Sequence, residues 1–178
     1  MLLAPAAEWA VIEQEEANAG KVFLTYVLPW AMIHGIAAYL GHTLVLGPYH
    51  YGTLAAQWGL RRGLRAAVSY IFTAWVSTIC VYELAPVFSS QKNIGRAMQA
   101  VAYASTGLYI GGVLSLIPLA PIRLISWLLS LYCVYFFYLG LPVIMKTPEE
   151  KIAPYMIVAS LSIVALYLVF VFSMAQLW

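Results

Sequence analysis

Residues 153–176 read APYMIVASLSIVALYLVFVFSMAQ, twenty-four positions without a charged side chain. An α-helix rises about 1.5 Å per residue, so a run of this length reaches across the roughly 30 Å hydrocarbon core of a bilayer. Working back along the chain, Val22–Leu46, Ala66–Phe88, Ala100–Leu119 and Ile122–Leu141 have the same character, and Ala153–Gln176 is the fifth. Charges fall between these runs, as a cost of at least about 2.5–3.5 kcal/mol for a central Lys, Arg or Asp requires. The third and fourth runs are parted only by Pro118, Pro121 and Arg123, and two prolines with a charge read as a tight turn. The predicted fold class is an all-α membrane protein, a bundle of five transmembrane helices over residues 22–178 behind a short N-terminal interfacial helix in residues 1–21.

Composition demands the same solvent. Of 178 residues, 63% are hydrophobic and 9% charged, against about half and about a quarter in soluble domains. A globule of this size buries only about 70% of the surface its unfolded chain exposes, so the excess apolar surface must meet lipid. The net charge of +2, with nine scattered Lys and Arg, excludes a nucleic-acid surface. Cys80 and Cys133 lie inside apolar runs without paired spacing and read as packing residues, not a disulfide or a metal framework. The N-terminus has no basic n-region, and its first long apolar run starts only near Lys21, so no cleaved signal is expected. Lys21, Lys92, Arg96, Lys146 and Lys151 share one side of the five-span topology, against Arg61, Arg62, Arg65 and Arg123. With the α-amino group added to the larger set, the N-terminus is expected in the cytoplasm and the C-terminus outside.

Ahead of the first span, Pro5 opens a short helix carrying Trp9 and Ile12 on one face and Glu8, Glu13, Glu15 and Glu16 beside or opposite them. Its acidity is unlike that of helices drawn to anionic lipid, so it reads as docking on this chain's own loops or on a partner, with a solvated acidic helix the alternative. In the third span Ala97, Ala100, Ala104, Gly107, Gly111 and Ser115 recur every three or four residues on one face. Close backbone approach holds helices together in lipid, which makes this helix central and Ala100, Ala104, Gly107 and Gly111 its packing residues. The same face would also serve a homodimer.

Glu83 stands near the end of the second span, just before Pro86, which frees backbone carbonyls. An acid at that depth is a functional-site candidate, and a hydrated interfacial position is the alternative. His34 and His42 are about 80° apart around their helix and cannot chelate one ion together. Each reads as a hydrogen-bonded histidine, with haem or metal ligation the alternative. The fourth span carries Trp127, Tyr132, Tyr135, Phe136, Phe137 and Tyr138, which read as packing and headgroup anchors. No nucleophile–base set, phosphate loop or metal motif occurs, so neither catalysis nor a cofactor is expected.

Three segments carry a resemblance. Tyr138-Leu-Gly-Leu-Pro-Val-Ile-Met-Lys-Thr-Pro-Glu-Glu-Lys151 with Tyr155, Pro5-Ala-Ala-Glu-Trp-Ala-Val-Ile12 with Glu15, and Leu84-Ala-Pro-Val-Phe88 with Lys92 resemble, in order, the Yip1 family of five-span membrane proteins, above all its short bacterial members. The resemblance implies a five-helix bundle in a bacterial inner membrane. Eukaryotic members are linked to vesicle traffic and to prenylated Rab-type GTPases. They usually carry a long cytosolic N-terminal region, which about twenty residues here do not match. Glu83 also departs from the pattern, which has a polar uncharged residue there, and the three histidines are not part of it. Pro142, Pro148 and Pro154 make the fourth loop a rigid connector in which Lys146, Glu149, Glu150 and Lys151 pair locally or present a surface to a partner. Glu8, Trp9, Glu83, Pro86, Lys146, Pro148, Glu149 and Lys151 are the candidate functional or partner-contact residues. The functional expectation is a non-enzymatic membrane scaffold or accessory subunit that associates with other membrane proteins or organises lipid. A small transporter or lipid-handling protein with a site at Glu83 and Pro86 is the second reading, and a haem- or metal-binding subunit the third.

Overall fold

The computed structural model describes residues 5–50, 52–117 and 119–177, and every regular element among them is helical. We number seven helices: α1 (Pro5–Glu13), α2 (Ala19–Tyr49), α3 (Ala55–Leu84), α4 (Ile94–Ala104), α5 (Thr106–Val113), α6 (Ala120–Ile144) and α7 (Glu149–Leu177). Four stretches are long and apolar enough to cross a membrane: Ala19–Tyr49, Gly52–Phe88, Ala120–Ile144 and Glu149–Ser173. The starts obey ordinary capping chemistry. Asn18 and Asn93 accept from the backbone N–H of Lys21 and Arg96 at 3.0 and 3.1 Å. Pro121 sits in the first turn of α6, where a missing N–H costs nothing. Glu149 and Glu150 occupy the first turn of α7, at the positive end of its dipole. In α2, π turns at Phe23–Val27 and Gly41–Leu46 each precede a proline, Pro29 and Pro48, whose missing N–H widens the turn before it.

The structure corrects the predicted spans in three places. The second helix begins at Ala55 and not at Ala66, because Ala55, Ala56, Leu60, Arg61, Arg62, Leu64 and Arg65 are strong helix formers that carry it on past the hydrocarbon. Arg61, Arg62 and Arg65 therefore lie on a helix, not in a loop. The third predicted span, Ala100–Leu119, is not one continuous helix: α4 starts earlier, at Ile94, and breaks at Ser105 before the eight-residue α5. The Ser105 hydroxyl donates to Val101 O at 2.7 Å, which also accepts the Ser105 N–H at 3.0 Å, and the Thr106 hydroxyl donates to Tyr103 O at 2.6 Å, so side-chain bonds to backbone carbonyls stabilise the bend. In the third place, α6 and α7 absorb Pro142 and Pro154, which shortens the fourth loop to residues 145–148. The turn between the third and fourth runs lies where Pro118 and Pro121 put it, with Leu119 extended at φ −88°, ψ 149°; Pro118 itself lies outside the described residues.

The core is lopsided. Trp9 and Ile12 of α1, Val81 and Ala85, Ala97, Ala100 and Ala104 of α4, Phe136, Leu141, Ile144 and Met145, and Ile152, Tyr155 and Ala159 of α7 belong to one cluster around the end where α1 docks. Beyond Ala159, none of the described α7 side chains is buried. The stripe of small residues faces this chain's own helices: Ala100, Ala104, Gly107 and Gly111 are all buried. A Cβ on Gly107 would sit 2.6 Å from Leu129 O, and one on Gly111 3.3 Å from Ser126 O, both in α6. The sequence reading missed an equivalent seam between α2 and α3. A Cβ on Gly63 would sit 2.7 Å from Gly35 O, and one on Gly59 3.1 Å from Tyr39 O. Gly59-x-x-x-Gly63 was its visible signal.

Candidate functional site

The two ends of the bundle are chemically different. At the end holding both sides of α1, the finish of α3 and α6 and the start of α4 and α7, two loops are stitched together. The Gln91 N–H donates to Met145 O at 2.7 Å, the Ser90 and Thr147 hydroxyls share a hydrogen bond at 2.9 Å, and the Lys151 ammonium donates to Ser89 Oγ at 2.7 Å. Ser89 and Lys146 both adopt left-handed backbone, φ 54° and 53°, a conformation that costs a non-glycine residue about 1 kcal/mol or more. Both residues are held there by those contacts and by the ion pair of Lys146 with Glu13 of α1. The same helix inserts Trp9, fully buried, against Gly140, where a Cβ would stand 2.6 Å from the indole Cζ2.

Most of the sequence candidates meet in this cap. Trp9 fills its centre, Lys146 ties it to α1, Lys151 ties α7 to Ser89, Pro148 is half-buried in the loop, and Glu8 and Glu149 are exposed at its rim. Lys146 and Lys151 thus find partners in distant segments and not among Glu149 and Glu150, because the left-handed turn at Lys146 aims it toward α1. Glu83 is exposed and paired with Lys92 at 2.9 Å, and its carboxylate holds the Lys92 ammonium above the ordinary lysine range. Pro86 sits in a short 3-10 turn, Ala85–Phe88, where Phe88 stacks on Tyr155 with centroids 4.8 Å apart and Tyr155 donates its hydroxyl to Val81 O. Neither Glu83 nor Pro86 lines either of the two cavities described next. Glu83 stands at the end of its helix, within reach of a loop lysine.

The cleft lies toward the other end. A cavity of about 680 Å³ opens between α2, α3, the α4–α5 break and the thin part of α7, lined by His34, His42, Arg62, Arg65, Tyr70, Ser105, Ser115, Ile163, Val164 and Tyr167 among others. A second cavity of about 480 Å³ shares His34, His42, Arg62, Tyr70 and Ser115 with it and reaches Arg123, Ser126 and Ser130 of α6. Both volumes are of the size that holds a small organic ligand. Val164 and Tyr167 line the first cavity while remaining exposed on the outside of the bundle, so it is a cleft open to the surroundings of α7. Aromatic packing shapes its floor. His34 meets Tyr70 edge-on at 4.3 Å, Tyr70 donates to Leu108 O, and Gly112 leaves room for both rings.

Polar groups face this space. His42 donates from Nδ1 to Ala38 O at 3.0 Å and accepts at Nε2 from Arg62 Nε at 3.2 Å, a pair of partners that sets the neutral tautomer. Both its ring nitrogens are spent. Among the described residues no group of three His, Cys, Asp or Glu converges as a metal site, and none of the ion pairs among them involves Arg62, Arg65 or Arg123. His34 Nδ1 and Ser115 Oγ are buried without a partner. The charge map explains the missing pairs. All seven acids, Glu8, Glu13, Glu15, Glu16, Glu83, Glu149 and Glu150, belong to the capped end, which carries a net −2, and the opposite end holds Arg61, Arg62, Arg65 and Arg123 for a net +4. That asymmetry is legible in the sequence, and counting only Lys and Arg by side overlooked it.

These features define a multi-pass integral membrane protein: an all-helical bundle with long apolar spans, a stitched polar cap at one end and an arginine-lined cleft toward the other. The Yip1 domain model matches residues 1–172, and the chain belongs to that family. It is similar to the inner membrane protein YohC of Escherichia coli strain K12 and to that of Escherichia coli O6:H1 strain CFT073. Each is 24% identical over 151 residues, which cover 83% of this chain and 77% of the relative. No solved structure matches the chain.

Proposed function

We propose that this protein is a non-enzymatic scaffold of the bacterial inner membrane that organises lipid, with the capped end as its rigid base and the cleft as its working part. The observation that carries this reading is the cleft itself, apolar along α7, cationic along α3, and open where Val164 and Tyr167 are exposed. A transported solute would need a passage, and Glu83, the acid first suspected of such a role, is occupied by Lys92 outside the cleft. In this reading α4 and α5 together make the fifth crossing. From Ile94 to Val113 they span twenty residues, about 30 Å at the helical rise. The N-terminus and the cap face the cytoplasm, and the inner-membrane location of the YohC relatives supports the assignment of membrane.

The test is the lipid content of the protein. Purified from native membranes in mild detergent and analysed by native mass spectrometry, it is expected to carry bound lipid that survives exhaustive washing. A lipid-free protein would remove the reading. An accessory role toward other membrane proteins is the second reading, favoured by α7, of whose most apolar stretch only 6% is buried within the chain. Photocrosslinkers at Leu161 and Leu168 are expected to capture a protein neighbour if it holds, and lipid alone if it does not. Cysteine labelling at Ser90 and at Thr53 from opposite sides of the membrane checks the orientation.

A further inference from the structure

Resting on that reading, we infer that the cleft selects one class of lipid, an anionic phospholipid, with its phosphate on Arg62 and Arg65 and an acyl chain along α7. The placement of the arginines argues for a headgroup. Arg62 lies twenty-one residues from Glu83 on the same helix, about 32 Å by the helical rise, which is the thickness of the hydrocarbon core. With Glu83 hydrated at one interface, Arg62 stands at the phosphate level of the other.

Spacing and hydrogen bonding argue for a headgroup site. Arg62 and Arg65 are three apart on α3 and line the same cavity, whereas Arg61, the residue before Arg62, rests over the Trp58 ring at 5.5 Å and does not line it. Arg62 uses only Nε on His42, which leaves the other guanidinium N–H groups to donate, and a guanidinium matches the geometry of a phosphate better than any other side chain. No carboxylate competes, because all seven acids belong to the opposite end. His34 and Ser115 line the same cavity as the arginines and add polar residues to its lining.

The apolar half argues for a lipid over a soluble anion. Ile163, Val164, Tyr167 and Val171 form the wall opposite the arginines. Free phosphate has no use for that wall, and an acyl chain entering from the bilayer has. The Phe72–Phe170 stack, with centroids 4.0 Å apart and 15° between planes, keeps α7 pinned to α3 beside the opening.

The experiment uses the full chain in nanodiscs containing equal amounts of phosphatidylglycerol and phosphatidylcholine, released and read by native mass spectrometry. The wild type is expected to retain one phosphatidylglycerol. Arg62→Gln/Arg65→Gln is expected to retain about tenfold less, the loss of at least one charge-assisted hydrogen bond, and Arg61→Gln to behave as wild type. Circular dichroism melting of each variant separates loss of binding from loss of fold, and the single variants replace the double one if it does not fold. Equal retention of the two lipids, undiminished retention in both the double and single variants, or displacement of the lipid by millimolar inorganic phosphate would each overturn the inference while leaving lipid organisation standing. Retention of no lipid at all would remove both.

Discussion

The capped end and the cleft end are built from the same helices and solve opposite problems. At the cap, Trp9, Phe136, Leu141 and Tyr155 are fully buried, two loops are hydrogen-bonded to each other, and Lys146 and Lys92 answer Glu13 and Glu83. Toward the other end α7 loses its buried residues, the space between helices opens, and the arginines have no acidic partners among the described residues. The contrast shows how a bundle this small holds together in lipid, where no hydrophobic effect pushes helices into one another. Stability is concentrated where aromatic volume, glycine contacts and hydrogen bonds coincide. The rest of the bundle is then free to remain incompletely packed, which a binding cleft requires.

The contrast breaks first at Trp9. Trp9→Ala removes the largest fully buried side chain of the cap and is expected to cost about 3–5 kcal/mol, read as a fall in thermal midpoint in detergent together with protease sensitivity of residues 5–13. A small effect would mean that α1 is not part of the stable end. Gly63→Val probes the α2–α3 seam at the cleft end. Its Cβ meets Gly35 O at 2.7 Å and Tyr39 Cβ at 2.9 Å, so α2 and α3 must separate at a cost of about 1–3 kcal/mol, measurable in the same melting experiment.

How much of this contrast was visible beforehand differs by residue. Trp9 and Ile12 on one face of a short helix were legible as a docking face, but α6 as the receiving surface was not, since Gly140 reads only as one more small residue. The five-run hydropathy pattern located the helices, and the break at Ser105 escaped it because serine hydroxyls stabilise a bend without lowering apolarity much. The Arg62–Arg65 pair was hidden by the assumption that charges end a helix. Here they lie inside α3, which runs unbroken from Ala55 to Leu84.

Two smaller effects sharpen the comparison. Lys146→Ala breaks an exposed ion pair and is expected to cost about 0.2–1 kcal/mol, with the difference from wild type shrinking as salt rises. Double-mutant cycles with Glu13→Ala measure the coupling directly, and a coupling of zero would leave Trp9 as the only strong link between α1 and the bundle. Arg62→Gln, at the open end, is expected to move the melting midpoint least, within about 0.5 kcal/mol. A large destabilisation there would mean that Arg62 is a structural residue through His42 and not a binding one.

The amino-acid sequence by itself determined that this chain lives in a membrane, that its elements are helices, where most of them turn, which family it belongs to, and that its acids crowd one end and its unpaired arginines the other. Those properties depend on composition, run length and local chemistry, which a linear reading measures. Only the tertiary structure decided which helix faces meet, that Trp9 closes one end, and that a cleft lined from α2, α3 and α7 opens beside Arg62 and Arg65. In lipid the inside and the outside of a bundle are equally apolar, so hydropathy cannot tell a packed face from a bare one. That choice rests on the shape of glycine seams and aromatic contacts between residues as distant as Trp9 and Gly140.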